Sequence, residues 1–161
     1  MSHQDNRFRK RSAARLRRLM NWWPPLLFAG VRIVEWAPDY TAVTVRSAKP
    51  NGLTANAYGT QFGGTLYSMT DPFYSILVNE QLDRGYNVWD QRGEIDYVSP
   101  GRGPVTARIE VAPEVVAEIR AAAEGGEKVL RWFECEVIAA DGTLVAKVRK
   151  QLYIRKKRPK D

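Results

Sequence analysis

The sequence predicts an α+β fold, a series of antiparallel strands interrupted by one central helix. Six runs, Val31–Trp36, Thr41–Ser47, Val88–Val98, Pro104–Ala112, Val129–Ala139 and Leu144–Ile154, read as strands from their β-branched residues and apolar alternation. Between the second and third runs the apolar spacing changes to a helical period from about Thr65 to Leu82. Turn chemistry separates the runs, with Pro38-Asp39 after the first and Asp141-Gly142 before the last.

The N-terminal segment from Arg7 to Trp23 places Phe8, Leu16, Leu19, Met20 and Trp23 within one helical stripe and most of its arginines away from it. This basic amphipathic helix ends at Pro24-Pro25 and is expected to dock on the domain, with membrane contact as the other reading. Val43 and Val45 alternate with Thr44 and Arg46, as in a half-buried hairpin strand. In the central helix Leu66, Met69, Phe73, Ile76 and Leu77 share a face, and Asp71 leaves that face for a boundary such as a subunit interface. Pro72, near the helix start, is positioned to kink its first turns. Gly85 stops the helix, and Pro100-Gly101-Arg102-Gly103 turns the third strand into the fourth. Pro113-Glu114 opens a short helix to Ala123, closed by Gly125-Gly126. Cys135, between Phe133 and Val137 at strand alternation, reads as core.

At 161 residues the length suits one domain, and 44% hydrophobic with 27% charged residues is a globular composition. A single cysteine excludes an intrachain disulfide or a cysteine-cluster metal site and suits a reducing, cytoplasmic compartment. The single histidine, His3, lies in a polar tail, so Ser-His-Asp, Cys-His and His-ligated zinc chemistry lack their imidazole. Catalysis must then rest on carboxylates, hydroxyls and backbone dipoles, with no metal and no separate cofactor. The net charge of +7 is concentrated at the ends: residues 1–18 carry seven basic side chains against one acid, residues 146–161 eight against one. The body between them is net acidic, unlike a dedicated nucleic-acid domain. The basic ends can bind phosphates or an anionic membrane, or simply aid solubility. No segment has the length of a membrane span, and the apolar run Trp22–Phe28 is broken by two prolines without a cleavage pattern, against a signal peptide.

The chemically richest stretch is Asn56 to Asp71, a loop containing Gly59, Gly63 and Gly64 that runs into the helix bearing Asp71. A helix start presents unpaired amides and the positive end of its dipole, and Gly-Gly lets a carbonyl oxygen come close. Thr65, Ser68 and Thr70 offer hydroxyls near Asp71, but with no histidine or lysine beside them a serine-type nucleophile is disfavoured. Tyr67 and Tyr74 lie about one turn from Asp71, to line a pocket or to pack. Asn56 either positions substrate or water, or shapes the loop. Arg92 is a candidate partner for Asp71 or Asp90.

The element order resembles the hotdog fold, a curved antiparallel sheet wrapped around a long central helix, here with an extra N-terminal helix. Asn56, Gly59, Gly63, Gly64 and Asp71 stand at the spacing of phenylacetyl-CoA-thioesterase-like hotdog proteins, with Phe62 where those carry histidine. Asn21-Trp22-Trp23-Pro24-Pro25, Phe62 to Tyr74, Val88-Trp89-Asp90 and Ser99 to Gly103 are similar to an uncharacterised or tetrameric acyl-CoA thioesterase subfamily. The resemblance implies a basic helix or tail over 1–20, a hotdog domain over 21–154 and a basic tail over 155–161. It implies an acyl-CoA thioesterase acting as a homodimer or dimer of dimers, coenzyme A entering only as part of the substrate. Asp71 would be base or nucleophile, Gly63 and Gly64 the oxyanion donors, and Asn56 a catalytic aid. Gln61, Phe62, Thr65, Tyr67 and Arg102 would contact substrate, Gln61 standing in for the missing histidine. Arg102 or the Lys147–Lys157 segment would meet the phosphates of coenzyme A. The alternative is a non-catalytic acyl-group binder; a hotdog dehydratase and a basic membrane or nucleic-acid module rank below it.

Overall fold

The computed structural model describes residues 12–158. His3, Phe8 and the basic residues before Ser12 lie outside the described residues. Two helices, α1 (Ala13–Asn21) and α2 (Pro24–Phe28), precede β1 (Val31–Trp36) and β2 (Ala42–Ser47). The central segment holds α3 (Gly63–Ser68) and α4 (Phe73–Gln81), followed by β3 (Tyr86–Tyr97), β4 (Val105–Glu110), α5 (Pro113–Ala122), β5 (Val129–Ala139) and β6 (Leu144–Lys156). The strands form one six-stranded antiparallel sheet in the order β1-β2-β4-β5-β6-β3.

Pro100–Gly103 connects β3 to β4 as expected. The two strands do not pair: β3 lies at one edge beside β6, and β4 sits between β2 and β5. The central helix is instead two helices. Amides of Thr70 and Asp71 reach the carbonyls of Tyr67 and Ser68 at 3.1 and 3.3 Å, a tightened turn that ends α3. Pro72, without an amide hydrogen, becomes the residue from which α4 starts.

Alternation puts Val43, Val45, Ala107, Ile109, Val137, Ala146, Val148 and Leu152 on the inner face of the sheet, where they bury against Leu66, Met69, Phe73 and Leu77. Ile76, expected in the core, is only partly buried. Cys135 is buried as expected, and burial above all pushes its thiol up to about 11, leaving it a poor nucleophile.

Helix α1 docks, burying Ala13, Leu16 and Met20, whereas Leu19 and Trp23, assigned to the same stripe, are exposed. Asn21 makes the attachment specific. Its Oδ1 accepts the Ile33 amide at 2.7 Å and its Nδ2 donates to the Ile33 carbonyl at 3.0 Å, satisfying the free side of β1. Among the described residues no strand pairs with the outer side of β3, 12 residues long at the opposite edge. No helix among the described residues is long and apolar enough to cross a membrane.

Candidate active site

The turn after α3 aims the Asp71 carboxylate at the inner face of the sheet, where Lys150 Nζ donates to Oδ1 in an ion pair. Lys150 belongs to the apolar row of β6, between Val148 and Leu152, and its side chain is 1% exposed against 51% for Asp71. The ammonium also lies 3.8 Å from the centroid of the Tyr67 ring, a cation–π contact. Gly93, the register partner of Lys150 on β3, makes room for this arrangement: a Cβ there would collide with the Tyr67 hydroxyl.

Burial is the largest influence on Lys150 and favours loss of its proton. Hydrogen bonds to Asp71 and Tyr67 and their charges together outweigh it, holding the ammonium above its ordinary value. Asp90 occupies the same inner row, opposite Leu152. Its Oδ1 is buried without a hydrogen-bond partner. Its carboxyl is pushed up to about 6, first by burial and further by the charge of Asp71, against the opposing effects of Lys150 and Ser75.

Arg92 does not take part. A bulge between Asp90 and Arg92 moves the strand by one residue, so Gly93 faces Lys150 while Arg92 registers with Gln151. The expected pairing of Arg92 with Asp71 or Asp90 is therefore not formed. Lys150 escaped the sequence reading although a signal existed: in Ala146, Val148, Lys150, Leu152, Ile154 it is the one charge in an otherwise apolar phase.

The remaining candidates cluster around the start of α3. Phe62, in extended conformation, caps the helix, and its carbonyl accepts the amides of Thr65 and Leu66 at 3.0 and 3.1 Å. The Gly63 and Gly64 amides stand ahead of those bonds. Phe62 is 55% exposed and lies across Gly64, where a Cβ would strike its ring. It divides two open clefts. One, about 500 Å³, is bounded by Phe28, Ala29, Leu53, Ala55 and Thr65. The other, about 560 Å³, is bounded by Asn56, Leu66, Tyr97, Val98 and Pro100. Arg102 is exposed in the turn beside the second.

Gln61 and Asn56 serve the loop. Gln61 is buried, accepting from Ser47 Oγ at 3.2 Å and donating to the carbonyls of Ala48 and Gly103 at 2.7 and 3.0 Å, so its amide is not offered in place of a histidine. Asn56 Oδ1 accepts the amides of Tyr58 and Thr60 at 3.0 and 3.1 Å, and Nδ2 donates to Thr60 Oγ1 at 2.8 Å. These bonds tie its side chain into the loop that borders the second cleft. Thr65 is buried at 4% exposure. Tyr67 is brought together with Asp71 through Lys150, while the glycine amides and Asp71 lie at opposite ends of α3.

The basic segment of β6 is engaged within the chain: Lys147 with Glu136 at 3.8 Å, Arg149 with Glu94 at 2.9 Å, and Lys156 with Glu124. Arg155 Nε donates to the Gly126 carbonyl at 2.8 Å, and Lys157 Nζ to that of Arg84 at 2.8 Å. No group of three or more metal-ligating side chains gathers among the described residues.

Residues 12–154 match the family described as a domain of unknown function, DUF4442. No curated protein sequence matches significantly. Among solved structures, the chain resembles PA5026 of Pseudomonas aeruginosa, a protein of unknown function and probable thioesterase. The two share 17% identity over 89% of this chain and 95% of that one, with a TM-score of 0.74. The thioesterase HI1161 of Haemophilus influenzae gives 14% identity, coverage of 91% and 92%, and a TM-score of 0.67. A hypothetical thioesterase of Streptococcus pneumoniae, solved with coenzyme A, gives 18%, 82% and 91%, and 0.56. The shared architecture is the hotdog fold, a six-stranded antiparallel sheet with a central helical segment and an additional N-terminal helix.

Proposed function

The chain belongs to the DUF4442 family, and on that premise we propose that it hydrolyses acyl-CoA thioesters in the cytoplasm. The observation that carries the reading is Asp71: a half-exposed carboxylate at the end of α3, paired with a buried ammonium, on the fold of structures called thioesterases. Asp71 takes a proton from water as the water oxygen bonds to the thioester carbon. The carbonyl electron pair moves onto oxygen, received by the Gly63 and Gly64 amides. As the carbonyl re-forms, the C–S bond breaks, and the proton held by Asp71 passes to the departing thiolate. Direct attack by Asp71, giving a transient anhydride, is the nucleophilic version of the same site.

Spacing bears on assembly. Asp71 is the seventh residue after Gly64, roughly 10 Å at the rise of a helix, whereas one thioester group must sit within about 3 Å of both its base and its oxyanion donors. A site using both draws them from two chains. The outer edge of β3, unpaired among the described residues, is the surface suited to a second copy, supporting a homodimer or a dimer of dimers. The clefts beside Phe62 suit the acyl group and the pantetheine arm, and exposed Arg102 suits a coenzyme A phosphate.

Phe62 supports one other reading, a non-catalytic acyl-group binder, because the side chain standing where related proteins carry histidine can neither donate nor accept a hydrogen bond. The deciding experiment is free-thiol release from a panel of acyl-CoAs by wild type and Asp71→Asn. A fall of at least ~10³-fold in kcat/KM is expected for loss of the base. Hydrolysis that survives the substitution rejects the mechanism; acyl-CoA binding without hydrolysis by either protein makes the chain a binder.

A further inference from the structure

We infer that Lys150 is a positioning residue for Asp71, retained in the sheet interior for catalysis at the expense of stability, and that its ammonium holds the Asp71 carboxylate in place and supplies the countercharge between it and the buried Asp90. The inference rests on the role given to Asp71 above.

Three observations support it. First, Lys150 stands in the inner row of β6 where the residues before and after it in that row, Val148 and Leu152, are buried and apolar. A lysine there loses its hydration, and buried ion pairs are often matched or exceeded in stability by apolar residues of similar size. Stability therefore gives no reason for its presence. Second, its ammonium is fixed from two sides, by the Asp71 carboxylate and the Tyr67 ring, in space that Gly93 leaves open. Third, Asp90 projects from the same inner face of β3 with a buried carboxyl oxygen that has no partner.

The groups facing this cluster are Tyr67 from α3, Asp71 from the α3–α4 turn, Ser75 from α4, Asp90 from β3 and Cys135 from β5. Lys150 is the one cation among them. With it present, the Asp71 carboxylate is paired, and Asp90, largely buried, has its carboxyl pushed up to about 6 against the opposing charge of Lys150. Without it, two carboxyls share a site with no countercharge, and ionising one opposes ionising the other.

The test is Lys150→Met, which keeps the volume and removes the charge. Because Asp71 is half-exposed, water can take over its solvation, and the variant is expected to fold with a Tm equal to or above wild type. Its kcat should fall by roughly 100-fold with KM within about threefold. The acid limb of its kcat/KM profile should move upward by about one pH unit, and Lys150→Met/Asp90→Asn should move it back. Should the Met variant not fold, Lys150→Gln gives the same readouts. Carboxyl ¹³C NMR supplies a measure independent of turnover: the Asp90 titration should move up in Lys150→Met and down in Asp71→Asn.

A kcat within threefold of wild type, or an Asp90 titration unmoved by loss of Lys150, overturns the inference while leaving the thioesterase reading intact. If wild type hydrolyses no acyl thioester, that reading falls, and the NMR titration alone decides whether Lys150 supplies the countercharge between the two carboxyls.

Discussion

The two faces of β6 carry cations of opposite kind. On the outer face Lys147 and Arg149, about half exposed, pair with equally exposed Glu136 and Glu94, and Arg149 also stacks over Trp132 at 4.7 Å. On the inner face Lys150 is sealed against solvent and paired with Asp71. Outer pairs form in high dielectric, contribute little and can change without consequence. The inner lysine gives up its hydration for one geometry around one carboxylate, and a position that is expensive to charge and simple to fill with an apolar residue points to chemistry.

The sharpest way to break this comparison is to place a second lysine in the inner row without an acid to meet it. Val148 is fully buried opposite Ile95 and Cys135. Val148→Lys is expected to lose about 3–5 kcal/mol or more in urea unfolding, the cost of an unpaired buried charge. A loss below about 1 kcal/mol would mean that the interior tolerates lysine anywhere, removing what is special about Lys150.

A smaller effect is expected from Gly93→Ala, whose methyl would occupy the place of the Tyr67 hydroxyl. Overpacking of this kind costs about 1–3 kcal/mol. Tyr67→Phe in the same chain should recover part of it by removing the atom that is struck. Equal stability of the single and double variants would show that the contact is not tight.

Asp90 adds a pH dependence. Its folded carboxyl titrates at about 6 against 3.8 for the free group, so the native state favours the protonated form. The resulting stability is fully present below the free-group value and is lost as pH rises through about 6. Asp90→Asn should therefore gain on wild type between pH 4 and pH 8, by about 1 kcal/mol after allowing for the partial solvent access of the group. Parallel stability curves for the two proteins would contradict the shifted titration.

Least should happen on the outer face. Lys147→Ala and Arg149→Ala are each expected to change unfolding free energy by less than about 1 kcal/mol, and less still in high salt. A larger loss at Arg149 would assign weight to its stacking on Trp132.

Much of the fold was legible because alternation and turn chemistry are local. The limits of β1 and β5 coincide with the sequence reading, and the remaining strands differ by a few terminal residues. The Gly-Gly helix start and Asp71 were legible for the same reason, lying within a single short segment. The split between α3 and α4 was only partly so: Pro72 marked the place, but whether a proline kinks a helix or starts a new one depends on how the following turn packs. The loop role of Gln61 followed from hydrogen bonds to acceptors such as the Gly103 carbonyl, far along the chain, whereas the partners of Asn56 lie within the same loop.

By itself, then, the sequence determined which residues alternate, where the chain turns and which segment carries both the Gly-Gly helix start and Asp71, since each is set by neighbours a few residues apart. Only the tertiary structure decided what the carboxylate meets. Lys150 is 79 residues from Asp71, and the two come together because β6 lies beside β3 and beneath the α3–α4 turn. A bulge at Gln91 turned Arg92 outward and Gly93 inward, a shift of one residue that reverses every side chain beyond it. Pairing order and register belong to the assembled sheet, and they chose a buried lysine over the nearer arginine as the partner of Asp71.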